Sequence, residues 1–210
     1  MNRSHELFPF AKYIVLHDVK LKGKFFVPTN YYARFLEPTK LGSPCLAAVG
    51  LPPHQSSFGN RSMLEGYRPR YQDHCDTVVN SIVARPNVTD SVDTLMEQCK
   101  TYQSLDLPGA ELDRGLIDSA FIVWNQRSKR CRDFNAKLAC TWSDEIQCYS
   151  DRDQISFPYI LQRLGLRESS LTKWKNAFRN NIYMVDENDK VLVQILQRYV
   201  PVVHMGLALV

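Results

Sequence analysis

The sequence predicts an α/β fold with a central mixed sheet and helices on its faces. Three observations support this prediction. Short apolar runs of strand length alternate with longer segments in which apolar residues recur at helical spacing. Turn-forming residues, chiefly glycine, proline and aspartate, separate them. The composition, 44% hydrophobic and 23% charged in 210 residues, fits a single folded domain.

Five apolar runs are predicted as strands. They are residues 11–18, 45–54, 116–126, 190–196 and 200–204. The first is a buried strand that places His17 and Asp18 at its carboxyl end, and Gly50 with the following two prolines stops the second. In an α/β sheet, ligands bind beyond the carboxyl ends of strands, so the polar residues at these ends are candidates for a site.

Helices are predicted between the strands. They cover residues 27–38, 76–86, 91–105, 136–149 and a segment that starts near 150. In the third helix one face is predicted from Val92, Leu95, Met96, Cys99 and Tyr102. The basic stretch "RSKRCRD" at 127–133, interrupted by Asp133, is interpreted as a solvated loop ahead of the fourth helix, with a phosphate-facing role as the alternative.

The stretch "SDRDQISFPYILQRLG" at 150–165 is interpreted as a helix with an unusual start. Ser150 with Asp153 resembles a capping box, and Gly165 ends the helix. The predicted buried face consists of Phe157, Ile160, Leu161 and Leu164. Neither Gln154 nor Pro158 is explained by capping. Since proline frees the carbonyl four residues earlier, the helix start combines donors and acceptors that suit sugar hydroxyls.

Charge and cysteine patterns exclude several classes of protein. A net charge of +4 without a basic stripe argues against nucleic-acid binding, and no apolar run reaches the ~18 residues of a membrane helix. Six cysteines contain no CxxC pair, so a zinc ribbon is not predicted. Cys131, Cys140 and Cys148 are close enough in sequence to pair with one another. These observations leave the compartment open.

A charged pair follows the first predicted strand. Asp18 could hold a divalent cation there, and Lys20 could neutralise a diphosphate directly. The alternative is that Asp18 only opens a turn. The residues themselves do not choose between these two interpretations.

Four stretches together carry a family resemblance. They are "ELFPFAKYIVLHDVKL", "RFLEP", "MEQCKTY" and "LACTWSDEIQCYSDRDQISFPYIL". Over roughly residues 7–165 the chain resembles the glycosyltransferase-like family of the plant mucilage-related and turgor-regulation-defect proteins. The most specific matches are Trp142, Glu145, Arg152, Asp153, Gln154, Ser156 and Phe157. The chain departs from the family after the third strand, where an Arg-Glu-His is replaced by Trp124, Asn125 and Gln126.

The resemblance implies a GT-A-like nucleotide-sugar transferase that moves a hexosyl group to a glycan, such as a cell-wall polysaccharide, in the Golgi or secretory lumen. Asp153 and Gln154 are then the catalytic pair facing the sugar. The implied substrate-binding residues are Lys20, Gln98, Trp142, Glu145 and Arg152, while Asp18 and His204 are the implied ligands of Mn²⁺ or Mg²⁺. The nucleotide-sugar donor and the glycan acceptor are the implied partners.

The same resemblance suggests that the chain is one incomplete domain over residues 1–210. GT-A domains bind the nucleotide with βα units that would precede residue 1, so we expect those N-terminal units to be missing and the isolated chain to be poorly active. Two alternatives stay open. One is a non-catalytic carbohydrate- or partner-binding remnant, and the other is a metal-dependent amidohydrolase of the ceramidase type.

Overall fold

The computed structural model describes residues 8, 10–17, 36, 42–50, 79, 91–104, 117–150, 153–168 and 182–197. These residues form six strands and three helices. In chain order they are β1 (Tyr13–His17), β2 (Leu46–Gly50), α1 (Val92–Ser104), β3 (Ile117–Asn125), α2 (Lys129–Cys148), α3 (Asp153–Arg163), β4 (Arg167–Glu168), β5 (Ile182–Val185) and β6 (Val191–Gln197). The predicted mixture of strands and helices is confirmed.

All six strands belong to one mixed sheet with the order β1-β3-β2-β6-β5-β4. Only the β2–β6 pair is parallel; the other neighbours are antiparallel. His17 pairs with Phe121 and Gly50 with Ile117, while Gly50 also lies opposite Gln197. Strands β1, β2 and β6 therefore finish at the same end of the sheet, which we call the carboxyl end.

The three helices contribute to one core on a single face of the sheet. Strand residues Leu46, Ile122 and Trp124 share a core with Leu138 of α2 and Phe157 of α3. The alternate residues Ala47 and Val123 belong to a second cluster with Leu36 on the other face. Because successive side chains in a strand point to opposite faces, this division follows from the strand sequence itself.

Helix α1 buries most of its predicted face. Leu95, Cys99 and Tyr102 are buried as expected, whereas Val92, the first residue of the helix, is 37% exposed. The prediction for Val92 is therefore wrong, because burial of α1 begins one turn later, at Leu95. Gln98, which was not placed on the apolar face, is fully buried.

The basic stretch at 127–133 is not a loop. Ser128 caps α2, and its side chain accepts a hydrogen bond from the Cys131 backbone N–H. The Arg130 guanidinium bonds the Ser43 carbonyl at 3.1 Å and the Val191 carbonyl at 3.4 Å. Positively charged residues in the first turn of a helix are unfavourable, because the N-terminal end of the helix dipole is itself positive. The local sequence therefore disfavours a helix start here, and the contacts of Arg130 with distant segments stabilise it.

A disulfide joins Cys45, next to β2, to Cys131 in the first turn of α2. Cys140 and Cys148 are exposed free thiols, and Cys99 is also disulfide-bonded. The predicted pairing within Cys131, Cys140 and Cys148 is therefore wrong. Positions 9 and 17 residues along a helix from Cys131 are too far away for a disulfide, whereas the fold brings Cys45 within a Cα–Cα distance of 4.8 Å.

Gly165 ends α3 as predicted. Its φ of 73° lies in the left-handed region. The Leu166 N–H donates to the Leu161 carbonyl at 3.1 Å, and the Gly165 N–H donates to the Gln162 carbonyl at 2.8 Å. This pair of bonds is the Schellman motif, which satisfies the last carbonyls of the helix.

Strands β4 and β5 were not predicted from sequence. Both are short, with two and four residues, and periodicity is weak over such lengths. The β5–β6 turn is stabilised by Asp186, whose Oδ1 accepts bonds from the backbone N–H groups of Asn188 and Lys190. Most of the predicted elements 27–38 and 76–86, and the whole of 200–204, lie outside the described residues.

Candidate functional site

The predicted site residues divide into three groups. Four of them, Asp18, Lys20, Arg152 and His204, lie outside the described residues. Asp153 and Gln154 are the first two residues of α3, and the structure places their backbone. The side chains of Gln98, Trp142 and Glu145 are described in full, and the structure brings them together around the last turns of α2.

Glu145 lies in the last turn of α2 and is bonded to α1. Its carboxylate Oε2 accepts a hydrogen bond from the Tyr102 hydroxyl at 2.6 Å. That hydroxyl in turn accepts a bond from the Gln98 side-chain amide at 2.8 Å. Gln98 and Tyr102 are four residues apart on α1, so both side chains lie on the same face of the helix.

Two further residues complete this cluster. Arg163, in the last turn of α3, donates from Nη1 to Glu145 Oε1 at 2.7 Å. Ser150, in the segment between α2 and α3, donates its hydroxyl to Gln98 Oε1 at 3.1 Å. We call the five residues Gln98, Tyr102, Glu145, Ser150 and Arg163 the Glu145 network. It links all three helices, reaching α3 at its last turn through Arg163, while Ser150 precedes the first residue of α3 by three positions.

Burial makes these bonds important. The Glu145 side chain is 8% exposed and Gln98 is fully buried, whereas the Arg163 side chain is 53% exposed. A buried carboxylate without a partner would be strongly destabilising. The guanidinium therefore neutralises a buried charge from the solvent side, while the tyrosine bonds it from within.

Aromatic rings surround the network. Tyr102 stacks face to face on Tyr159 with ring centroids 3.7 Å apart, and Tyr149 meets Tyr102 edge-on at 5.9 Å. Burial, together with the negative charge of Glu145, raises the pKa of Tyr159 above its usual 10.0. Tyr159 is thus a neutral phenol at physiological pH, and it covers the ring of Tyr102.

Trp142 lies on α2 three residues, about one turn, before Glu145. Its indole Nε1–H donates to the Ser156 hydroxyl at 3.0 Å, and its ring meets Phe157 edge-on at 4.9 Å. Three residues of the family-specific set therefore contact one another across the α2–α3 junction. The described contacts of Trp142, like those of Gln98 and Glu145, are with other residues of this chain.

The end of β3 and the residue after it, where the sequence departs from the family, lie at the other end of the sheet. Asn125 pairs with Tyr13, the first residue of β1. Its side chain donates to the Pro44 carbonyl at 3.1 Å and accepts from the Arg127 N–H at 3.0 Å. Asn125 is therefore occupied in holding the chain between β3 and α2.

Sequence reasoning named Gln98, Trp142 and Glu145 but missed Arg163 and the contact of Ser150 with Gln98. The predicted helix start is also too early, since Ser150 was assigned as the N-cap and α3 begins three residues later, at Asp153. Arg163 carried no signal, since a basic residue in the last turn of a helix is ordinary. For Ser150 the capping pattern was the visible signal, and its contact with Gln98 spans 52 positions. The i, i+4 spacing of Gln98 and Tyr102 is a local signal for a shared face that the predicted apolar face of the helix did not include.

Among the residues that the structure describes, no group of three or more acidic, histidine or cysteine side chains could hold a metal ion. The predicted ligands Asp18 and His204 lie outside that part of the chain, so the metal site stays a prediction. The described helices also include none that is both long and apolar enough to cross a bilayer.

Comparison with known proteins gives one match. The family model described as TOD1/MUCI70, glycosyltransferase-like domain, matches residues 86–195, just over half of the 210 residues. The matched region runs from just before α1 into β6 and contains the whole Glu145 network. Searches of curated proteins and of solved structures each return no match.

Proposed function

This chain belongs to the TOD1/MUCI70 glycosyltransferase-like domain family, and on that premise we propose that it transfers a hexosyl group from a nucleotide sugar to a glycan acceptor. Family membership is the observation that carries the proposal. The matched region includes the start of α3, where the predicted catalytic pair Asp153 and Gln154 stands. We also propose that the complete domain has the GT-A type of fold.

The proposed chemistry needs two kinds of group. When the bond between the sugar and the diphosphate breaks, negative charge develops on the departing diphosphate, and cations stabilise it. In the proposal Lys20 contributes one positive charge. Asp18 with His204 would hold Mn²⁺ or Mg²⁺, which would supply Lewis-acid stabilisation of the departing diphosphate. The carboxylate of Asp153 and the amide of Gln154 would bond the sugar hydroxyls.

The sheet order supports a single site for these residues. Strands β1 and β6 both finish at the carboxyl end, and in the chain Asp18 directly follows β1 while His204 follows β6. Two strands separate β1 from β6, a distance of about 14 Å. The seven residues from Gln197 to His204 can span up to about 24 Å, so the segment is long enough to reach across.

The disulfides support a location in the secretory pathway. Cys45 and Cys131 form one disulfide, and Cys99 takes part in another. Such bonds persist in oxidising compartments and are rare in the cytosol. We therefore place the proposed reaction in the secretory lumen, with the Golgi as the compartment that the family resemblance implies.

Turnover measurements on purified protein test the proposal. The full-length protein is incubated with a panel of uridine- and guanosine-diphosphate sugars, with Mn²⁺ or with EDTA, and release of nucleoside diphosphate is measured with and without glycan oligosaccharides. We expect Asp153→Asn and Gln154→Ala to reduce turnover about 5- to 150-fold, because each removes a hydrogen bond or a charge at a polar substrate. Melting temperatures should stay within a few degrees.

Matched controls come from the exposed face of α2. Asp144→Asn and Gln147→Ala make the same chemical changes at exposed positions and should leave turnover unchanged. Asp18→Ala should abolish any stimulation by Mn²⁺, and Lys20→Ala should raise the donor KM. Wild-type turnover in both Asp153→Asn and Gln154→Ala would refute the sugar-site assignment. Hydrolysis of ceramide, or sugar binding without turnover, would refute glycosyl transfer.

A further inference from the structure

The Glu145 network has a single direction of hydrogen-bond donation. The Ser150 hydroxyl donates to Gln98, the Gln98 amide donates to Tyr102, and the Tyr102 hydroxyl donates to the Glu145 carboxylate. Arg163 approaches the same carboxylate from the opposite side. Every donor in this series of hydrogen bonds thus points towards one negative charge, the Glu145 carboxylate. Each bond therefore polarises and strengthens the next one.

This direction makes the charge of Glu145 decisive for the segment before α3. Bonds to an ionised carboxylate are shorter and stronger than bonds between neutral groups, in agreement with the 2.6 and 2.7 Å distances at Glu145. Ser150 lies at the far end of the series, three residues before Asp153. The position of Ser150 relative to α1 therefore depends on a charge carried by α2.

We propose that Tyr102 and Arg163 are positioning residues for the proposed site. They hold the Glu145 carboxylate in place, and through Gln98 and Ser150 this fixes the start of α3 and with it Asp153 and Gln154. The claim that these residues support catalysis rests on the proposed function. The claim that they hold the start of α3 in place does not, because local opening of residues 149–157 can be measured without turnover.

Two tyrosine variants separate positioning from packing. Tyr102→Phe removes the hydroxyl in the middle of the series and keeps the ring that stacks on Tyr159. Tyr159→Phe is the matched control, because it keeps the same stack and its hydroxyl makes no hydrogen bond within the part of the chain that the structure describes. Hydrogen exchange of the intact chain, followed by mass spectrometry, reports on peptides that cover residues 149–157.

We expect Tyr102→Phe to accelerate exchange in residues 149–157 about tenfold or more, the effect of losing a bond to a charged group. Tyr159→Phe should change it less than twofold. Arg163→Gln should resemble Tyr102→Phe, and Arg163→Lys, which keeps the positive charge, should restore most of the protection. If the protein turns over a uridine-diphosphate sugar, Tyr102→Phe should lower kcat with little change in KM.

Other results would overturn the inference. Equal exchange in the two tyrosine variants would show that the Tyr102 hydroxyl does not hold the segment. Acceleration spread evenly over β2, β3 and β6 would show a general loss of stability instead of local positioning. Should Tyr102→Phe fail to fold, Ser150→Ala tests the same series from its outer end, and unchanged exchange in that variant would refute the proposal. Absence of turnover with the expected exchange pattern would refute only the proposed function.

Discussion

Removing the disulfide between Cys45 and Cys131 is expected to lower the free energy of unfolding substantially. The bond joins residues 86 positions apart and fixes the first turn of α2 to the beginning of β2. A cross-link of this kind stabilises a protein chiefly by restricting the unfolded chain, and more strongly for a longer loop. The double substitution Cys45→Ala/Cys131→Ala removes it without burying a new polar group.

The size of the effect follows from the loop length. For a separation of 86 residues, the chain-entropy relation gives about 4.6 kcal/mol at 25 °C. Cys99 lies within this loop in sequence and is itself cross-linked, which reduces the entropy left for the first disulfide to remove. We therefore expect a loss of about 2–4 kcal/mol, or a decrease in Tm of roughly 10 °C for a chain of this size.

Urea unfolding under non-reducing conditions, followed by tryptophan fluorescence, measures this loss. The control is Cys140→Ala/Cys148→Ala, which removes two thiols that are exposed and unpaired. That control should stay within about 0.5 kcal/mol of wild type, as exposed substitutions usually do. A loss below about 1 kcal/mol in Cys45→Ala/Cys131→Ala, or an equal loss in the control, would refute the reasoning.

Two further expectations concern α3. Gly165→Ala should lower the free energy of unfolding in urea by about 1 kcal/mol, because Gly165 has a φ of 73° that alanine rarely adopts. No atom lies within 4 Å of the new Cβ, so the loss would come from the backbone alone. Gly165→Asn should lower it less, and equal stability of all three proteins would contradict a backbone origin. The pKa of Tyr159 is raised in the folded state by burial and by Glu145, so its contribution to stability is complete below pH 10 and is lost as pH rises through the folded-state pKa. Tyr159→Phe should therefore lose less stability than wild type as the pH is raised above 10, and identical losses in the two proteins would contradict this assignment.

Local patterns in the sequence predicted those elements whose signal is contained in a short window. The strand 116–126 was observed as Ile117–Asn125 and the helix 91–105 as Val92–Ser104. The end of α3 was predicted from one glycine, since a left-handed residue after an apolar helical face is a local requirement. Family membership was likewise visible in short motifs, and it is confirmed over residues 86–195.

Where tertiary contacts opposed the local signal, prediction from sequence was wrong. The first turn of α2 is rich in basic residues, which a helix start disfavours, yet Arg130 reaches backbone carbonyls of two strand-bearing segments there. The two-residue strand β4 exists because β5 offers it a partner. In both places the stabilising partner is distant in sequence and leaves no trace in the segment itself.

For the candidate site, the sequence determined which residue types are present and the tertiary structure decided what the described ones contact. Motifs identified Gln98, Trp142 and Glu145, while the predicted apolar face of α1 included Tyr102 but not Gln98. Only the fold joined Tyr102 to Glu145 across 43 positions and Cys45 to Cys131 across 86. The physical reason is the separation of the interacting groups along the sequence. Helix and strand periodicity depend on neighbouring residues, so they can be recognised in a short segment. A disulfide, a buried ion pair or a strand pairing instead joins groups that meet only when the chain has folded.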